Sequence, residues 1–175
     1  MSLILNIDSS LEDASVSISR NGEILTLATN TVQREHASFL HAAIKTSLDK
    51  INLQTNHLYA ISVTVGPGSY TGLRVGLATA KGLCYALQKL LISVGTLEAM
   101  AFTARKEKKE SNAFLCCSLI EARRLEVFTA SYDADLTELT PQHALHLNSF
   151  FFFNKELNLK NTLFIGNGLK NDKVI

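Results

Sequence analysis

The stretch Gly66–Gly82, GPGSYTGLRVGLATAKG, decides how this chain is read. It follows Tyr59–Val65, an apolar, β-branched run that predicts a buried strand. The Gly-Pro-Gly of Gly66, Pro67 and Gly68 ends that strand in a sharp turn into a helix. The helix is predicted from about Tyr70 to Leu87, and along it Gly72, Gly76 and Ala80 recur at steps of four. Three very small side chains therefore share one helix face, so something packs there at close range.

Two phosphate-loop patterns do not fit this stretch. A Walker A loop needs four residues between its glycines and then Lys with Ser or Thr, whereas Gly66 and Gly72 enclose five residues and Leu73 follows. The dinucleotide pattern GxGxxG fails on the spacing Gly66, Gly68, Gly72. Two readings stay open. Ser69 and Thr71 cap the helix and its exposed amides hold an anion, or the glycines serve only a tight turn and close helix packing.

Working outward, Leu3–Asp8, Ala14–Ser19 and Glu23–Ala28 read as three strands, with Asn21-Gly22 as a type I′ hairpin turn between the last two. From Glu35 to Leu48 the apolar positions Phe39, Leu40, Ala43, Ile44 and Leu48 recur at helical spacing. A strand, Leu91–Val94, and a helix capped by Thr96 and running to about Ala104 follow. The charge run Arg105–Glu110 reads as a solvated boundary. Beyond it Ala113–Ile120 and Glu126–Tyr132 form a second hairpin about the turn Ala122–Leu125, then comes a strand near Leu163–Ile165 and a glycine turn at Gly166 and Gly168. The expectation is α/β: two copies of one mixed sheet with helices, residues 1–104 and 113–175 joined by the linker 105–112, the second copy incomplete.

The 175 residues are 46% hydrophobic and 19% charged, which excludes disorder for the bulk and allows a core with no metal or disulfide. A formal net charge of +1 gives no field that would recruit nucleic acid or an anionic membrane. Cys84, Cys116 and Cys117 are odd in number and read as buried reduced thiols, which fits a cytoplasmic protein. The N-terminus shows no secretory pattern. The most apolar windows, Leu83–Leu87 and Phe150–Phe153, fall short of the roughly 20 residues of a membrane helix.

Asp8, followed by Ser9 and Ser10, stands at the carboxyl end of the first strand, where open α/β sheets bind ligands. It either holds a metal-bound water or a nucleotide phosphate, or accepts backbone N–H bonds in the turn to Leu11. His36 and His41 are five apart and diverge by roughly 140° around a helix, so they do not share an ion. His143 and His146 share a face only if their segment is helical, and no third ligand stands nearby in the sequence. No GxSxG elbow occurs, and Glu121, Arg123 and Arg124 read as a hydrated hairpin tip.

The strings ILNIDSSLEDASVSI (Ile4–Ile18), REHASFLH (Arg34–His41), GPGSYTGLRVGLATAKGL (Gly66–Leu83) and LIEARRLEVF (Leu119–Phe128) together resemble the bacterial TsaB (YeaZ) family over nearly the whole chain. The resemblance implies a duplicated ribonuclease-H-like fold of the actin-like ATPase class, with the second half apparently truncated. It implies a non-catalytic scaffold needed for threonylcarbamoyl transfer to the adenosine beside the anticodon of ANN-decoding tRNAs. The implied partners are a TsaD-type catalytic paralogue and a TsaE-type ATPase, with a homodimer when the chain is alone, tRNA met only indirectly, and no membrane. It also implies no cofactor of its own, with ATP or ADP at a shared interface. Should nucleotide bind, Asp8, Ser9, Gly66, Gly68 and Ser69 are the residues to hold it.

The resemblance further implies that the helices beginning near Glu35 and Tyr70 correspond to the family's dimerisation helices. From the first, His36, Phe39 and Leu40 are then expected at the interface. From the second, Tyr70, Gly72, Leu73, Arg74, Gly76, Leu77 and Ala80 join them. The catalytic paralogue's metal-binding His pair, four apart on a helix, has no counterpart here. The competing reading is an actin-like enzyme that hydrolyses or transfers phosphate with Asp8 and the Gly66–Thr71 loop. Two departures from the family pattern are an early end after Gly166–Gly168 and Glu121 where many relatives carry Asp.

Overall fold

In the computed structural model, residues 2–32, 35–107, 114–122, 126–146 and 161–169 are described. They form nine strands and three α-helices. The chain divides into two compact units, Met1–Gly95 and Thr96–Ile175.

The first unit contains β1 (Leu3–Asp8), β2 (Ala14–Arg20), β3 (Glu23–Asn30), α1 (His36–Lys50), β4 (Ala60–Thr64), α2 (Tyr70–Leu87) and β5 (Leu90–Val94). The turn between β2 and β3 has Asn21 at φ 51° and Gly22 at φ 84°, the positive values that a type I′ turn demands. The strands line up as β3-β2-β1-β4-β5. β1 runs antiparallel to β2 and parallel to β4, which is parallel to β5.

Strict alternation along β1 and β2 gives the sheet one apolar face, carrying Leu5, Ile7, Val16 and Ile18. Leu40, Ile44 and Leu48 of α1 and Ala80 of α2 pack into the same core, together with Ile61 and Val63 of β4. Both helices thus cover one side of the sheet and bury the stripe that their periodicity predicts. β5 is an edge strand whose Leu90, Leu91 and Ile92 remain exposed.

The second unit contains α3 (Thr96–Glu107), β6 (Leu115–Glu121), β7 (Glu126–Tyr132), β8 (Glu138–His146) and β9 (Thr162–Ile165) in the order β8-β7-β6-β9. Antiparallel, antiparallel and parallel pairings follow in the same sense as in the first sheet. The strand order and pairing of the first sheet are repeated in the second, so the fold is duplicated mixed α/β, as expected. Counterparts of α1, α2 and β5 are not among the described residues of this unit. β6 is buried at every position from Cys116 to Ile120, and Ser118 donates to the Leu97 carbonyl of α3 at 2.8 Å.

Four expectations need correction. α3 belongs with the second sheet, so the division falls before Thr96 and not in the charge run, whose residues 108–110 lie outside the described ones. Thr96 is the first residue of α3, and its buried hydroxyl has no hydrogen-bond partner, so it caps nothing. Residues 138–146 were given no strand, yet they pair with β7 through two register shifts. On that strand His143 and His146 are three apart and so face opposite sides, which removes the helical option. His146 instead lies 3.0 Å from Glu126 in an exposed pair, an arrangement worth little to stability. The turn residues Arg123 and Arg124 and the run Phe150–Phe153 lie outside the described residues. Among the described residues no helix is long and apolar enough to cross a membrane.

Tyr132, at the end of β7, is buried, and burial pushes its phenol from 10.0 up to about 12, with the carboxylates of Glu138 and Glu98 adding to the shift. The folded state therefore holds a proton that the unfolded chain gives up near pH 10. Its contribution is complete below pH 10 and is lost as the pH rises through about 12. Urea midpoints measured across that window should fall more steeply for the wild type than for Tyr132→Phe, and parallel curves would refute this reading.

Candidate functional site

The residues singled out around Asp8 and the glycine stretch do come together. β1 delivers Asp8 to the carboxyl edge of the sheet, and the chain turns at Ser9 and Ser10, both buried. One oxygen of Asp8, Oδ1, accepts the Ser10 backbone N–H at 2.9 Å, the Ser10 hydroxyl at 2.7 Å and the Thr64 hydroxyl at 2.8 Å. This is the turn-stabilising role of an Asp at a strand end, here extended to β4.

The Ser9–Ser10 turn sits directly on the start of α2. Ser69 donates its backbone N–H to the Ser10 carbonyl at 2.6 Å. A Cβ on Gly68 would fall on that same carbonyl, and one on Gly72 would fall on the carbonyl of Ser9. One turn further, a Cβ on Gly76 would strike the Ser9 hydroxyl, with Val63 and Ile7 behind it. That hydroxyl donates to the Gly72 carbonyl at 2.8 Å. The glycines at 68, 72 and 76 thus form a notch that the β1–β2 turn fills with its main chain. Ser69 does cap the helix, its hydroxyl accepting the Gly72 N–H at 3.4 Å. At Gly66, φ is +116°, a value that favours glycine.

The expected interface residues separate into two groups. Gly72, Gly76 and Ala80 are buried against the chain's own sheet, and so is Leu40 on α1. His36 is buried as well, with Nε2 at 3.1 Å from the Glu12 carbonyl, tying α1 to the β1–β2 loop. These five are therefore not surface residues of this chain, because its own hairpin and core occupy the small-residue face. Phe39 and Leu77 are half-buried against the same core, and Leu73 is half-buried. Only Tyr70, at 73% exposure, and Arg74 stand free on the surface. They pair with each other: the guanidinium lies 5.2 Å from the ring centroid and donates to the phenol oxygen at 3.1 Å.

Sequence reasoning missed the opposite face of α2. Ala78, Lys81, Gly82 and Tyr85 continue the exposed stripe that starts at Tyr70 and Arg74, and Tyr85 is 83% exposed. A Cβ on Gly82 would have nothing within 4 Å. The signal was present, since positions half a turn from Gly72, Gly76 and Ala80 must point away from whatever those glycines touch. A separate cleft of about 410 Å³ lies along α1, lined by Ile44, Leu48, Leu53 and Leu83 with His41, Lys45 and Asp49. Among the described residues no three His, Cys, Asp or Glu side chains gather as a metal site would need.

The family described as TsaD, tRNA N6-adenosine threonylcarbamoyltransferase, matches residues 28–172. The tRNA threonylcarbamoyladenosine biosynthesis protein TsaB of Buchnera aphidicola is 30% identical over 130 residues, 74% of this chain and 57% of that protein. The tRNA N6-adenosine threonylcarbamoyltransferase of Prosthecochloris aestuarii is also 30% identical, over 58% of this chain but only 33% of its own length. The chain thus spans one third to rather more than one half of the curated relatives it matches. Among solved structures, YeaZ from Pseudomonas aeruginosa superposes with a TM-score of 0.74 at 28% identity, covering 83% of this chain and 67% of that one. On the span of the match, the TsaB relatives and the YeaZ fold, this chain belongs to the TsaD family as one of its TsaB (YeaZ) members.

Proposed function

We propose that this chain is a non-catalytic partner subunit in tRNA threonylcarbamoyladenosine biosynthesis, in the cytoplasm, and that it pairs with a TsaD-type paralogue. The pairing uses the outward face of α2 together with the exposed side of α1. A homodimer through the same surface forms when the paralogue is absent, a TsaE-type ATPase joins the assembly, and tRNA is met through the partner.

One observation carries this reading: α2 is two-sided. Its small-residue face is filled by the chain's own Ser9–Ser10 turn, while the opposite stripe runs from Tyr70 and Arg74 over Ala78 and Gly82 to Tyr85 and is exposed along the described chain. Small residues at the centre let a second helix approach closely, and aromatic and arginine side chains at the ends are the types that anchor interfaces. The relatives' names supply the pathway. A surface of this kind is self-complementary about a two-fold axis, which accounts for a homodimer as the default state.

The test is the light-scattering mass of the protein alone and after mixing with the TsaD-type paralogue of the same organism. A homodimer that converts to a one-to-one heterodimer is expected, and a chain that ignores the paralogue contradicts the proposal. Ala78→Arg should leave the melting temperature within about 2 °C of wild type, as exposed substitutions do, and weaken the pairing by about tenfold or more. Gly76→Phe should instead fail to fold, because its ring has no room beside Ser9. Undiminished pairing by a folded Ala78→Arg protein would move the interface elsewhere.

A further inference from the structure

A hollow and a protruding side chain stand close together in the α1–α2 layer. The hollow is the cleft of about 410 Å³ along α1, and the local sequence shapes its walls. α1 ends at a residue in the left-handed region, Asn52 at φ 52°. Asn52 donates its N–H to the Asp49 carbonyl at 3.1 Å, and Leu53 donates to the Leu48 carbonyl at 3.0 Å. This Schellman closure folds Leu53 back toward Leu48. Gln54 and His57 then form a capping box, with the Gln54 N–H donating to His57 Nδ1 at 3.0 Å. The Lys89 ammonium, just past α2, donates to the Asn56 carbonyl at 2.9 Å and ties that turn to the end of α2. The cleft is therefore preformed, with Ile44, Leu48, Leu53 and Leu83 as its apolar lining and Lys45 and Asp49 among its charged residues.

The protruding side chain is Tyr85, 83% exposed and two residues along α2 from Leu83. Lys81 precedes it by one turn on the same exposed face. On the reading given above, that this chain pairs through α1 and α2, we propose that in the homodimer each Tyr85 enters the cleft of the second copy, and that Lys81 meets the partner's Asp49.

Three observations favour a second copy as the occupant. A tyrosine carries a large apolar ring with a polar tip, which matches an apolar hollow edged by charged groups. The hollow and the tyrosine also share one helix pair, so a two-fold axis passing between them delivers each ring to the other copy's cleft at once. The charges are complementary as well. α2 contains no acidic residue, and Asp49 is the one carboxylate that lines the cleft. Among the described residues neither Lys81 nor Asp49 takes part in an ion pair.

Dissociation constants of the homodimer, measured on the full chain by light scattering, test this. Tyr85, Asp49 and Lys81 are exposed, so Tyr85→Ala, Asp49→Lys and Lys81→Asp should each keep the melting temperature within about 2 °C of wild type. Each should weaken the homodimer by about tenfold or more. An equimolar mixture of Asp49→Lys and Lys81→Asp chains should then form a mixed dimer about as tight as wild type, because both contacts across the axis are again of opposite sign, whereas either variant alone sets like charges against each other twice. Variants that dimerise like wild type, or a mixture no tighter than its components, would overturn the inference and leave the pairing to other parts of the two helices. Weakened binding of the TsaD-type paralogue with an unchanged homodimer would give the cleft to the paralogue and also overturn it. A wild-type chain that stays monomeric would remove the homodimer from the proposed function, and this inference with it.

Discussion

The Ser10 carbonyl meeting the Ser69 N–H at 2.6 Å is the contact on which the first unit depends. It forms only because Gly68 and Gly72 leave out the Cβ atoms that would occupy the same space. Through it the end of β1 is fixed to the start of α2, and Asp8 extends the tie to β4 by accepting the Thr64 hydroxyl. His36 adds α1 by way of the Glu12 carbonyl. Four elements thus converge on one five-residue turn, and buried polar groups there are paired within the chain, as a low-dielectric setting requires.

The second unit repeats the device with different residues. After the parallel strand β9, Gly166 brings its backbone onto the Leu119 carbonyl of β6, and Gly168 sits against Leu119 and Val127. Asn167 then accepts the Glu121 N–H at 2.9 Å through its side chain. In both halves a glycine turn after a parallel strand docks on the chain's central hairpin, so the duplication extends beyond strand order to the way each sheet is closed. The consequence in the first unit is directional. Because the inner face of α2 is filled from within, the face of that helix left exposed is the outer stripe of Tyr70, Arg74, Ala78, Gly82 and Tyr85.

Much of the fold was legible because its signals are local. Alternation in Leu3–Asp8 and Ala14–Ser19, Asn21-Gly22 between strands, and the break at Gly66–Gly68 each state a conformation without reference to distant residues. β8 was missed because His143, Pro141 and Glu138 alternate with nothing, and a strand with a largely exposed surface carries little hydrophobic period. The site was half legible. Periodicity placed Gly72, Gly76 and Ala80 on one face and established that something approaches it, but the identity of that neighbour is a tertiary fact. A partner's helix and the chain's own Ser9–Ser10 turn make the same demand on the sequence. For Asp8 the Ser10 N–H bond is the one the turn reading calls for, and the Thr64 hydroxyl adds a tie to β4 that lies outside the turn.

Native-state hydrogen exchange at the Ser69 amide tests the account most directly. If the notch is closed as a structural joint, this amide should exchange only when the first unit unfolds, with protection equal to that of the Leu5 amide at the centre of β1. Exchange many-fold faster than Leu5 in the intact chain would show that the two loops part in the native state, and the notch would then not be what fixes α2.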